Sequence, residues 1–474
     1  MSHEPHHDSL TRREAMSRVG VGALGVGALG FAFFGPRGRK ETSGRLVLDY
    51  WEKWTGEEGA AMQRVVDAFN NSQSRILVRY FATAGIDQKT LVAIAGRSPP
   101  DVVGLWAYNV PAFAESGAIV PLDELGEPLG VRLENYALGM RPIMTHGRHQ
   151  ASEGENAGSQ KTRMWATINT GGTLALYFNR GAFREVGLDP DRPPRTISEL
   201  DAFHRKLVRR EGDKGPLTRA GFLHREPGWW SWIWGYHFGG SLFDASTETC
   251  SIDDPRNVQA FEWVQSYSRE LGLGELERFR GGFGTYASPL NAFLAGKVAM
   301  IVQGPWLANI LRDYAPGLDY GVAPFPVADG LWQEQAPIGA IDTDVLVIPS
   351  GVRHPEASME FIAFTQRQEQ VEMLSLAHCK SSPLATSSED FFARHANRGV
   401  RVHDALAKSE RSFLCPRTRT WPFIKDTLDA TMDRVSNLRG EPAEILRDVQ
   451  RICQRAVDRG VDERIRRQRG RGIA

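Results

Sequence analysis

Tryptophan is the residue type in this sequence best suited to making a ligand site. There are 12 tryptophans in 474 residues, and several of them crowd into two short stretches, residues 51–54 and 229–234. The indole ring is large and polarisable, and it carries one hydrogen-bond donor. Several such rings together can fill a core, or they can stack on the apolar faces of sugar rings. The two stretches therefore indicate either a packed core or a carbohydrate site.

Signatures of catalysis or metal binding are few by comparison. The sequence has no H-E-x-x-H motif, no P-loop and no G-x-S-x-G elbow, and its histidines are scattered. Glu226 and Asp244 could make a pair of carboxylates for glycoside hydrolysis, although a chain of this length offers many such pairs. The residues alone therefore give no clear catalytic centre and predict no metal site and no cofactor.

The four cysteines do not form a C-x-x-C pair, which argues against a zinc site. They are Cys250, Cys379, Cys415 and Cys453. In an oxidising compartment they allow up to two disulfides, in any of three pairings. Cys453 also falls on the apolar stripe of a C-terminal helix, where it fits a core position.

A glycine-rich stretch near the N-terminus, GVGALGVGALG over residues 20–30, contains the pattern G-x-G-x-x-G twice. That pattern cradles a dinucleotide only when it follows a buried strand, whereas charged residues precede it here. The pair Arg12-Arg13 followed by the uncharged run 19–36 is typical of an export signal instead. The segment TRREAM resembles the twin-arginine motif. Residues 1–44 are therefore predicted to be a twin-arginine-like signal or uncleaved anchor with a linker, so that the protein is periplasmic or tethered to the membrane.

The elements that would position these side chains alternate between strands and helices. This alternation indicates parallel βαβ units and an α/β fold. Apolar runs predict strands over residues 45–51, 75–82, 101–105, 173–178, 298–302 and 345–349. Helical spacing and capping residues predict helices over 57–71 and 86–96, helices beginning at Thr196 and Asp254, a helix over 288–296, and helices at the C-terminus.

Composition sets bounds on the partners. Lys+Arg and Asp+Glu both number 57, so the formal net charge is zero and nothing calls for nucleic acid. About 430 residues remain after the leader, which is enough for two or three domains. Residues 142–163 are polar and predict a long surface loop. The basic run over residues 464–471 is expected to be a solvated tail.

Several segments occur in an order that is familiar from one protein family. Residues 291–306, NAFLAGKVAMIVQGPW, resemble the signature of family 1 extracellular solute-binding proteins, the group that includes maltose-binding protein. Residues 176–189, LYFNRGAFREVGLD, resemble a second segment of that family. Segments 106–123, 320–326, 338–349 and 355–365 also resemble segments of the family, and all of them occur in the family's order. The resemblance runs from about Leu46 to Val461, which is nearly the whole chain after the leader.

The resemblance implies the type II periplasmic-binding-protein fold, with two α/β lobes joined by a hinge that the chain crosses several times. Residues 45–168 plus 345–377 would form lobe one, and 169–344 plus 378–474 would form lobe two with the C-terminal helices. The ligand would lie between the lobes and hold them closed. The implied function is that of a monomeric receptor, not an enzyme, which captures a mono- or oligosaccharide and delivers it to an ABC permease. The same fold could instead bind a polyol phosphate or another small solute, or could act as a ligand sensor that feeds a membrane kinase.

The resemblance also assigns ligand contacts, with tryptophan rings on sugar faces and polar groups on hydroxyls. Asn109 stands where the family has an acid, and Gly172 stands where it has a glutamate at the crossover. Gly228 stands where the family has an aromatic residue, and the loss of two polar or aromatic partners argues against maltose as the ligand. The expected ligand-binding residues are Trp51, Trp54, Trp106, Asn109, Glu226, Trp229, Trp230, Trp306, Arg417 and Trp421.

Overall fold

The computed structural model of the chain describes residues 44–147, 162–212 and 215–470. The predicted leader up to residue 43 lies outside the described residues, as does the part of the predicted surface loop over residues 148–161. By compactness the chain divides into two units, residues 1–47 with 74–77, and residues 48–73 with 78–474. The site described below lies in the second unit. Within the described ranges no helix is long and apolar enough to cross a membrane.

Strands and helices alternate over most of the chain. The strands are β1 (Leu46–Glu52), β2 (Ile76–Ala82), β3 (Val102–Trp106), β4 (Thr145–Gly147), β5 (Thr162–Met164), β6 (Thr167–Thr170), β7 (Ala175–Asn179), β8 (Arg209–Arg210), β9 (Leu217–Phe222), β10 (Phe243–Asp244), β11 (Thr249–Cys250), β12 (Val298–Gln303), β13 (Tyr320–Ala323) and β14 (Asp344–Val347). The α-helices are α1 (Gly56–Ser72), α2 (Ile86–Ala95), α3 (Val110–Ser116), α4 (Asp123–Gly126), α5 (Arg141–Met144), α6 (Arg180–Glu185), α7 (Ile197–Leu207), α8 (Trp234–His237), α9 (Pro255–Leu271), α10 (Leu273–Arg280), α11 (Leu307–Tyr314), α12 (Pro355–Thr365), α13 (Gln368–His378), α14 (Glu389–Arg394), α15 (Val400–Lys408), α16 (Trp421–Ser436) and α17 (Pro442–Gly470).

The first large sheet has the strand order β2-β1-β3-β14-β6. β1 runs parallel to β3, and β14 runs antiparallel to both β3 and β6. Every residue of β3 except Trp106, and every residue of β14, is buried. Strands covered on both faces require near-continuous apolar runs, which explains VVGL in β3 and VLV in β14.

The second large sheet has the strand order β13-β7-β12-β9-β8. β12 runs parallel to β9 and antiparallel to β7. Successive residues of β7 divide between two hydrophobic clusters: Leu176 and Phe178 pack in one, and Ala175 and Tyr177 in the other. This alternation is the period of two that a strand imposes, and it places a core on each face of the sheet.

The chain passes between the two sheets through extended segments that pair with one another. Gly171, in the connection from β6 to β7, donates its backbone N–H to Ser381 O at 3.0 Å. On the connection that leads into β14, Asp342 donates its backbone N–H to Gly172 O at 3.0 Å. Several paired crossings make a hinge in which one backbone segment can bend only with its neighbours.

Two predicted helix starts are confirmed and one predicted helix is wrong. The Thr196 hydroxyl accepts from Glu199 N at 3.2 Å, and the Asp254 carboxylate accepts from Arg256 N at 2.8 Å, so both residues cap helices as expected. Residues 288–296 form turns instead of a helix. Gly296 adopts a left-handed conformation with φ of 68°, and β12 begins two residues later, so no second helical turn can form.

Candidate ligand-binding site

One edge of the first sheet collects polar and aromatic side chains. The antiparallel register places Asp344 of β14 opposite Trp106 at the end of β3 and opposite Thr170 at the end of β6. Lys53 and Trp54 follow directly after β1, which runs parallel to β3. The carboxyl ends of β1, β3 and β6 therefore meet at this edge, which is where open α/β sheets bind ligands.

Two lysines and two carboxylates form a buried ion cluster at this edge. Lys53 Nζ lies 3.0 Å from Glu52 Oε1 and 3.0 Å from Asp344 Oδ1. Lys380 Nζ lies 2.9 Å from Asp344 Oδ2 and donates to Thr170 Oγ1 at 3.3 Å. None of the four charged side chains is more than 8% exposed. Asp344 therefore joins the two ammonium groups into one unit, which is called the Lys53–Lys380 cluster below.

Glu52 is buried beneath this cluster by specific neighbours. Tyr50 donates its hydroxyl to Glu52 Oε2 at 2.7 Å, and Asn169 donates its Nδ2 to the same oxygen at 3.3 Å. A Cβ added to Gly104 of β3 would lie 1.8 Å from that oxygen. Glycine at position 104 is therefore what allows a carboxylate to lie against the neighbouring strand.

The charges in the cluster stabilise one another against burial. Burial raises the pKa of Asp344, but Lys380 and Lys53 outweigh it and hold that pKa well below its ordinary value. Burial lowers the pKa of both lysines, and the Asp344 carboxylate reverses the shift and raises each above its ordinary value. The lowered pKa of Asp344 and the raised pKa values of the two lysines all favour the charged form, so these three groups stay ionised at neutral pH.

Tryptophan rings surround the two ammonium groups. Lys53 Nζ lies 4.6 Å from the ring centroid of Trp106 and 5.3 Å from that of Trp54. Lys380 Nζ lies 5.2 Å from the Trp54 ring and 5.7 Å from the Trp306 ring. These distances are within cation–π range. The Trp106 ring keeps 39% of its surface exposed, so it offers a face to a ligand.

The corresponding edge of the second sheet supplies the other aromatic side chains. Trp306 follows β12 and Trp230 follows β9, and because these strands are parallel the two residues leave the sheet at the same edge. Trp230 donates Nε1 to Asp342 Oδ2 at 2.7 Å, and its ring lies 6.1 Å from the Trp306 ring. Trp229 packs 5.4 Å from Trp230 and 5.0 Å from Tyr286, with 43% of its surface exposed.

Close neighbours leave no room for a side chain at Gly172, in the connection from β6 to β7. A Cβ there would lie 2.0 Å from Asp342 O and 3.2 Å from the Trp306 ring. The space that a side chain at 172 would need is thus taken by the Asp342 backbone and the Trp306 ring. Burial raises the pKa of the Asp342 carboxyl, and its bond from Trp230 opposes that rise.

The structure therefore brings Trp54, Trp106, Trp230 and Trp306 together around the Lys53–Lys380 cluster. Asn109 is buried just beyond Trp106. Its side chain and Lys53 both oppose the rise that burial causes in the pKa of Asp87.

The remaining expected residues lie in different surroundings. Trp51 is half-buried on β1. Glu226 is half-buried, and burial raises its pKa against the pull of Arg280. Burial lowers the pKa of Arg417 to about 10, and this residue donates Nη2 to Thr145 O. Trp421 is 1% exposed and packs edge-on against Trp232 in a hydrophobic core, so the structure gives it a packing position with no exposed face.

Sequence reasoning missed the charged part of the site. Glu52, Asp344, Lys380 and Asp342 were not among the expected residues. A signal was available, because charged residues adjoin the apolar runs in LVLDYWEK and DTDVLVIP, and open α/β sheets bind ligands beyond the ends of their strands. The pairing of residues 52, 344 and 380 depends on long-range register, which no local pattern encodes.

A second ion cluster connects the C-terminal helix to α3, and it corrects the expectation of a solvated basic tail for Arg464, the first residue of that run. Arg464 Nη1 and Nη2 donate to the two Glu248 oxygens at 2.9 and 2.6 Å. Arg464 Nη1 also lies 3.7 Å from Glu115 Oε2, and His146 Nε2 lies 3.0 Å from Glu115 Oε1. These residues are called the Arg464 cluster below.

A cavity of 710 Å³ lies elsewhere, along the edge strand β13. Its lining includes Arg180, Arg195, Glu334 and Trp332, and none of the tryptophans around the Lys53–Lys380 cluster. Arg180 is paired with Asp191 and Arg195 with Glu334, so these two arginines already have carboxylate partners.

Relatives and solved structures agree with this architecture. A maltotriose-binding protein from Pyrococcus abyssi is 22% identical over 342 residues, which are 70% of this chain and 65% of that protein, so the match spans slightly less than two thirds of this relative. The sn-glycerol-3-phosphate-binding periplasmic protein UgpB from Pectobacterium atrosepticum is 22% identical over 437 residues, which are 87% of this chain and 90% of that protein.

The structure of CpMnBP1 with mannotriose bound superposes with a TM-score of 0.70 at 24% identity, covering 86% of this chain and all of the other. UgpB from Mycobacterium tuberculosis, in complex with glycerophosphocholine, gives a TM-score of 0.69 at 21% identity, covering 89% of this chain and all of the other. The predicted fold class is thereby confirmed: the chain has the two-lobed type II periplasmic-binding-protein fold. The boundaries assigned to the lobes stay a prediction.

The family model described as "Bacterial extracellular solute-binding protein" matches residues 53–372. That match begins directly after β1 and ends before Lys380, so it takes in the strands from β2 to β14 together with Lys53 and Asp344 of the cluster. Since it covers more than half of the chain, the protein belongs to the family of bacterial extracellular solute-binding proteins.

Proposed function

We propose that this protein is the exported receptor of an ABC importer and that it captures a carbohydrate between its two lobes. The observation that carries the proposal is a group of tryptophans at the facing edges of the two sheets. Trp54 and Trp230 are buried, whereas Trp306 is half-buried and Trp106 keeps 39% of its surface exposed. A ligand held between them would contact both lobes at once. The protein would bind and release its ligand unchanged, and the permease would recognise the closed form.

The charge balance of the site supports a neutral ligand. The Lys53 and Lys380 ammonium groups each lie within 3.0 Å of a carboxylate. A phosphate gains most from cations that have no other partner, whereas these cations already have one. The cluster still offers oriented N–H and carboxylate groups, which suit the hydroxyls of a sugar.

The aromatic surfaces support a cyclic polyol. Trp106 and Trp229 keep 39% and 43% of their surface exposed although they lie among buried neighbours. Sites that bind a sugar usually combine exposed indole faces with fixed polar groups: the indole covers the apolar face of the sugar ring, and the polar groups form hydrogen bonds with its hydroxyls. The Tyr286 hydroxyl, which lies beside Trp229, is buried without a hydrogen-bond partner among the described residues. It is therefore available to a ligand hydroxyl.

A glycerol phosphate is the second candidate, and Arg417 is the observation that favours it. Arg417 is half-buried and makes no ion pair among the described residues, donating instead to a backbone carbonyl. Burial raises the pKa of the neighbouring Cys415 to about 12, and Arg417 and Asp342 act on it in opposite directions. A cation that has no carboxylate partner is what a phosphate would require.

The test is a binding titration of the purified protein, followed by tryptophan fluorescence and thermal unfolding. The panel contains manno- and malto-oligosaccharides, monosaccharides, glycerol 3-phosphate and glycerophosphocholine. A ligand present at 100 times its dissociation constant stabilises the folded state by about 2.7 kcal/mol. Saturable binding of a glycan with no response to either phosphate is the expected outcome. Binding of a phosphate alone would refute the carbohydrate proposal.

Paired variants separate the two candidates. Trp106→Ala removes an exposed ring and should weaken glycan binding, whereas Arg417→Gln should abolish binding of a phosphate and leave a neutral glycan bound. Trp332→Ala is the matched control, because this tryptophan also stacks on a cation, Arg195, but lies in the separate cavity along β13. Equal effects of Trp106→Ala and Trp332→Ala would count against the site.

A further inference from the structure

Two of the four cysteines are buried on facing elements of the second lobe's core. Cys250 lies on β11, the second strand of the β10–β11 hairpin, and Cys453 lies on α17, the long C-terminal helix. Cys250 is 2% exposed and Cys453 is fully buried, and both belong to the same hydrophobic cluster. All four cysteines are free thiols in the structure.

Two glutamines of the helix fix β11 against it. Gln450 donates Nε2 to Cys250 O and accepts from Ile252 N at 2.7 Å. Gln454 accepts from Cys250 N at 2.7 Å and donates to Glu248 O at 3.2 Å. The backbone of Cys250 is therefore bonded on both sides by residues of α17.

Helical geometry then places Cys453 beside Cys250. Residues 450, 453 and 454 lie on one face of a helix, because positions three and four apart are neighbours there. Cys453 stands between the two glutamines that bind Cys250, and its side chain and that of Cys250 point into the same core. Burial raises the pKa of Cys250 to about 12, and the nearby Cys453 thiol adds to that rise.

We propose that Cys250 and Cys453 form a disulfide in the exported protein. In this reaction the two thiols lose two protons and two electrons, and one S–S bond forms between their sulfurs. The oxidant is a second disulfide, either oxidised glutathione or an oxidised thiol oxidoreductase, whose S–S bond breaks to give two thiols. The bond would fasten the C-terminal helix to the hairpin that carries Glu248 of the Arg464 cluster.

The other two cysteines have different surroundings. Cys379 caps the end of α13 and donates Sγ to Asn309 Oδ1 at 3.0 Å. Cys415 lies near Arg417 and Asp342. Neither Cys379 nor Cys415 is hydrogen-bonded to residues that flank another cysteine, as Cys250 is to the neighbours of Cys453. Of the three pairings that the sequence allows, the structure therefore favours the one that contains Cys250 with Cys453.

The timing of the reaction follows from burial. The thiolate is the attacking species, and a buried thiol with a raised pKa rarely ionises. Exchange must therefore occur before α17 docks or when it opens. Once the helix has docked, the same burial protects the disulfide from reductants.

The first experiment maps disulfides in the whole protein. The protein is unfolded and reduced, refolded in a mixture of oxidised and reduced glutathione, alkylated, and digested with trypsin without reductant. The expected product joins the peptide of residues 226–256 to the peptide of residues 452–455, and reduction releases both with a combined gain of about 2 Da, from the two added hydrogens. Alkylation of all four cysteines, or a link that involves Cys379 or Cys415 instead, would overturn the proposal.

The second experiment compares thermal unfolding with and without reductant. The oxidised wild type is expected to unfold at a higher temperature than the reduced wild type. In Cys250→Ser and in Cys453→Ser this difference should vanish, whereas it should persist in Cys379→Ser. A reductant-dependent shift that survives in both Cys250→Ser and Cys453→Ser would assign the effect to other residues and refute the pairing.

Discussion

Replacement of Asp344 by asparagine tests the Lys53–Lys380 cluster directly. Asp344 lies 3.0 Å from Lys53 Nζ and 2.9 Å from Lys380 Nζ, and its side chain is 5% exposed. Lys53 would keep Glu52 as a partner, whereas Lys380 would lose its only ion pair among the described residues. Removing one member of a buried ion pair leaves an uncompensated charge and costs about 3–5 kcal/mol. Asp344→Asn should therefore lower the free energy of unfolding by that amount.

The pH dependence of this loss has a definite sign. The pKa of Asp344 is held below its ordinary value in the folded state. A depressed carboxylate contributes stability above the pKa of the unfolded chain, about 3.9, and loses it as pH falls through the folded-state pKa. The difference between wild type and Asp344→Asn should therefore be constant between about pH 5 and pH 8.

Urea unfolding of wild type and variant at several pH values measures this difference. Asp390→Asn is the control, because Asp390 is also paired, with Arg394 at 2.9 Å, but is 69% exposed. A surface pair of that kind contributes at most about 0.5 kcal/mol. If Asp344→Asn cost no more than Asp390→Asn, or if its cost disappeared between pH 8 and pH 5, the account of the cluster would be wrong.

Three further predictions follow from other parts of the structure. Trp106→Ala should weaken ligand binding at least tenfold, about 1.4 kcal/mol, with little change in stability, as measured by calorimetric titration. Arg464→Gln should lower stability by about 1–3 kcal/mol, because it leaves the Glu115 and Glu248 carboxylates without their shared cation; Arg466→Gln on the same helix serves as the control. Five buried histidines should make the protein less stable in mild acid, because burial lowers their pKa to about 4 or 3; they are His204, His224, His237, His378 and His403. In the unfolded chain the same histidines bind protons already below about pH 6.5. The free energy of unfolding should therefore fall by up to about 1.4 kcal/mol per pH unit for each histidine as the pH is lowered. Urea unfolding at pH 7 and pH 5.5 checks the last, and His237→Phe should reduce the slope by about a fifth.

Local sequence patterns predicted the elements of the fold well wherever the signal was local. The apolar runs of β1, β3 and β14 and the caps at Thr196 and Asp254 depend on neighbouring residues only. The helix expected over residues 288–296 failed because a local start signal was followed at once by a left-handed glycine and a new strand. A start signal of that kind cannot report how soon the next element begins.

The candidate site was only partly predictable, because much of it depends on contacts distant in sequence. The tryptophans could be identified from residue type and from the family resemblance. Thr170 and Asp344, by contrast, are 174 residues apart, and Lys380 is 36 residues beyond Asp344. Sheet register brings these residues together. Arg464 and Glu248 are likewise distant, 216 residues apart, and the packing of α17 against the β10–β11 hairpin brings them together.

In the proposed carbohydrate site, selectivity must come from the geometry of hydrogen bonds and from ring stacking. The ammonium groups of Lys53 and Lys380 are matched by carboxylates, so adding a net charge to the ligand would gain little from them. A site that holds polar groups ready for hydroxyls rejects a ligand that lacks them, because the site's own groups are then left unpaired. The Trp306 ring packs against Gly172, where it takes the space that a larger side chain at position 172 would need. Sugars that differ in one hydroxyl should therefore differ in affinity more than sugars that differ in charge at a remote position, and a titration series of deoxy sugars would measure that difference.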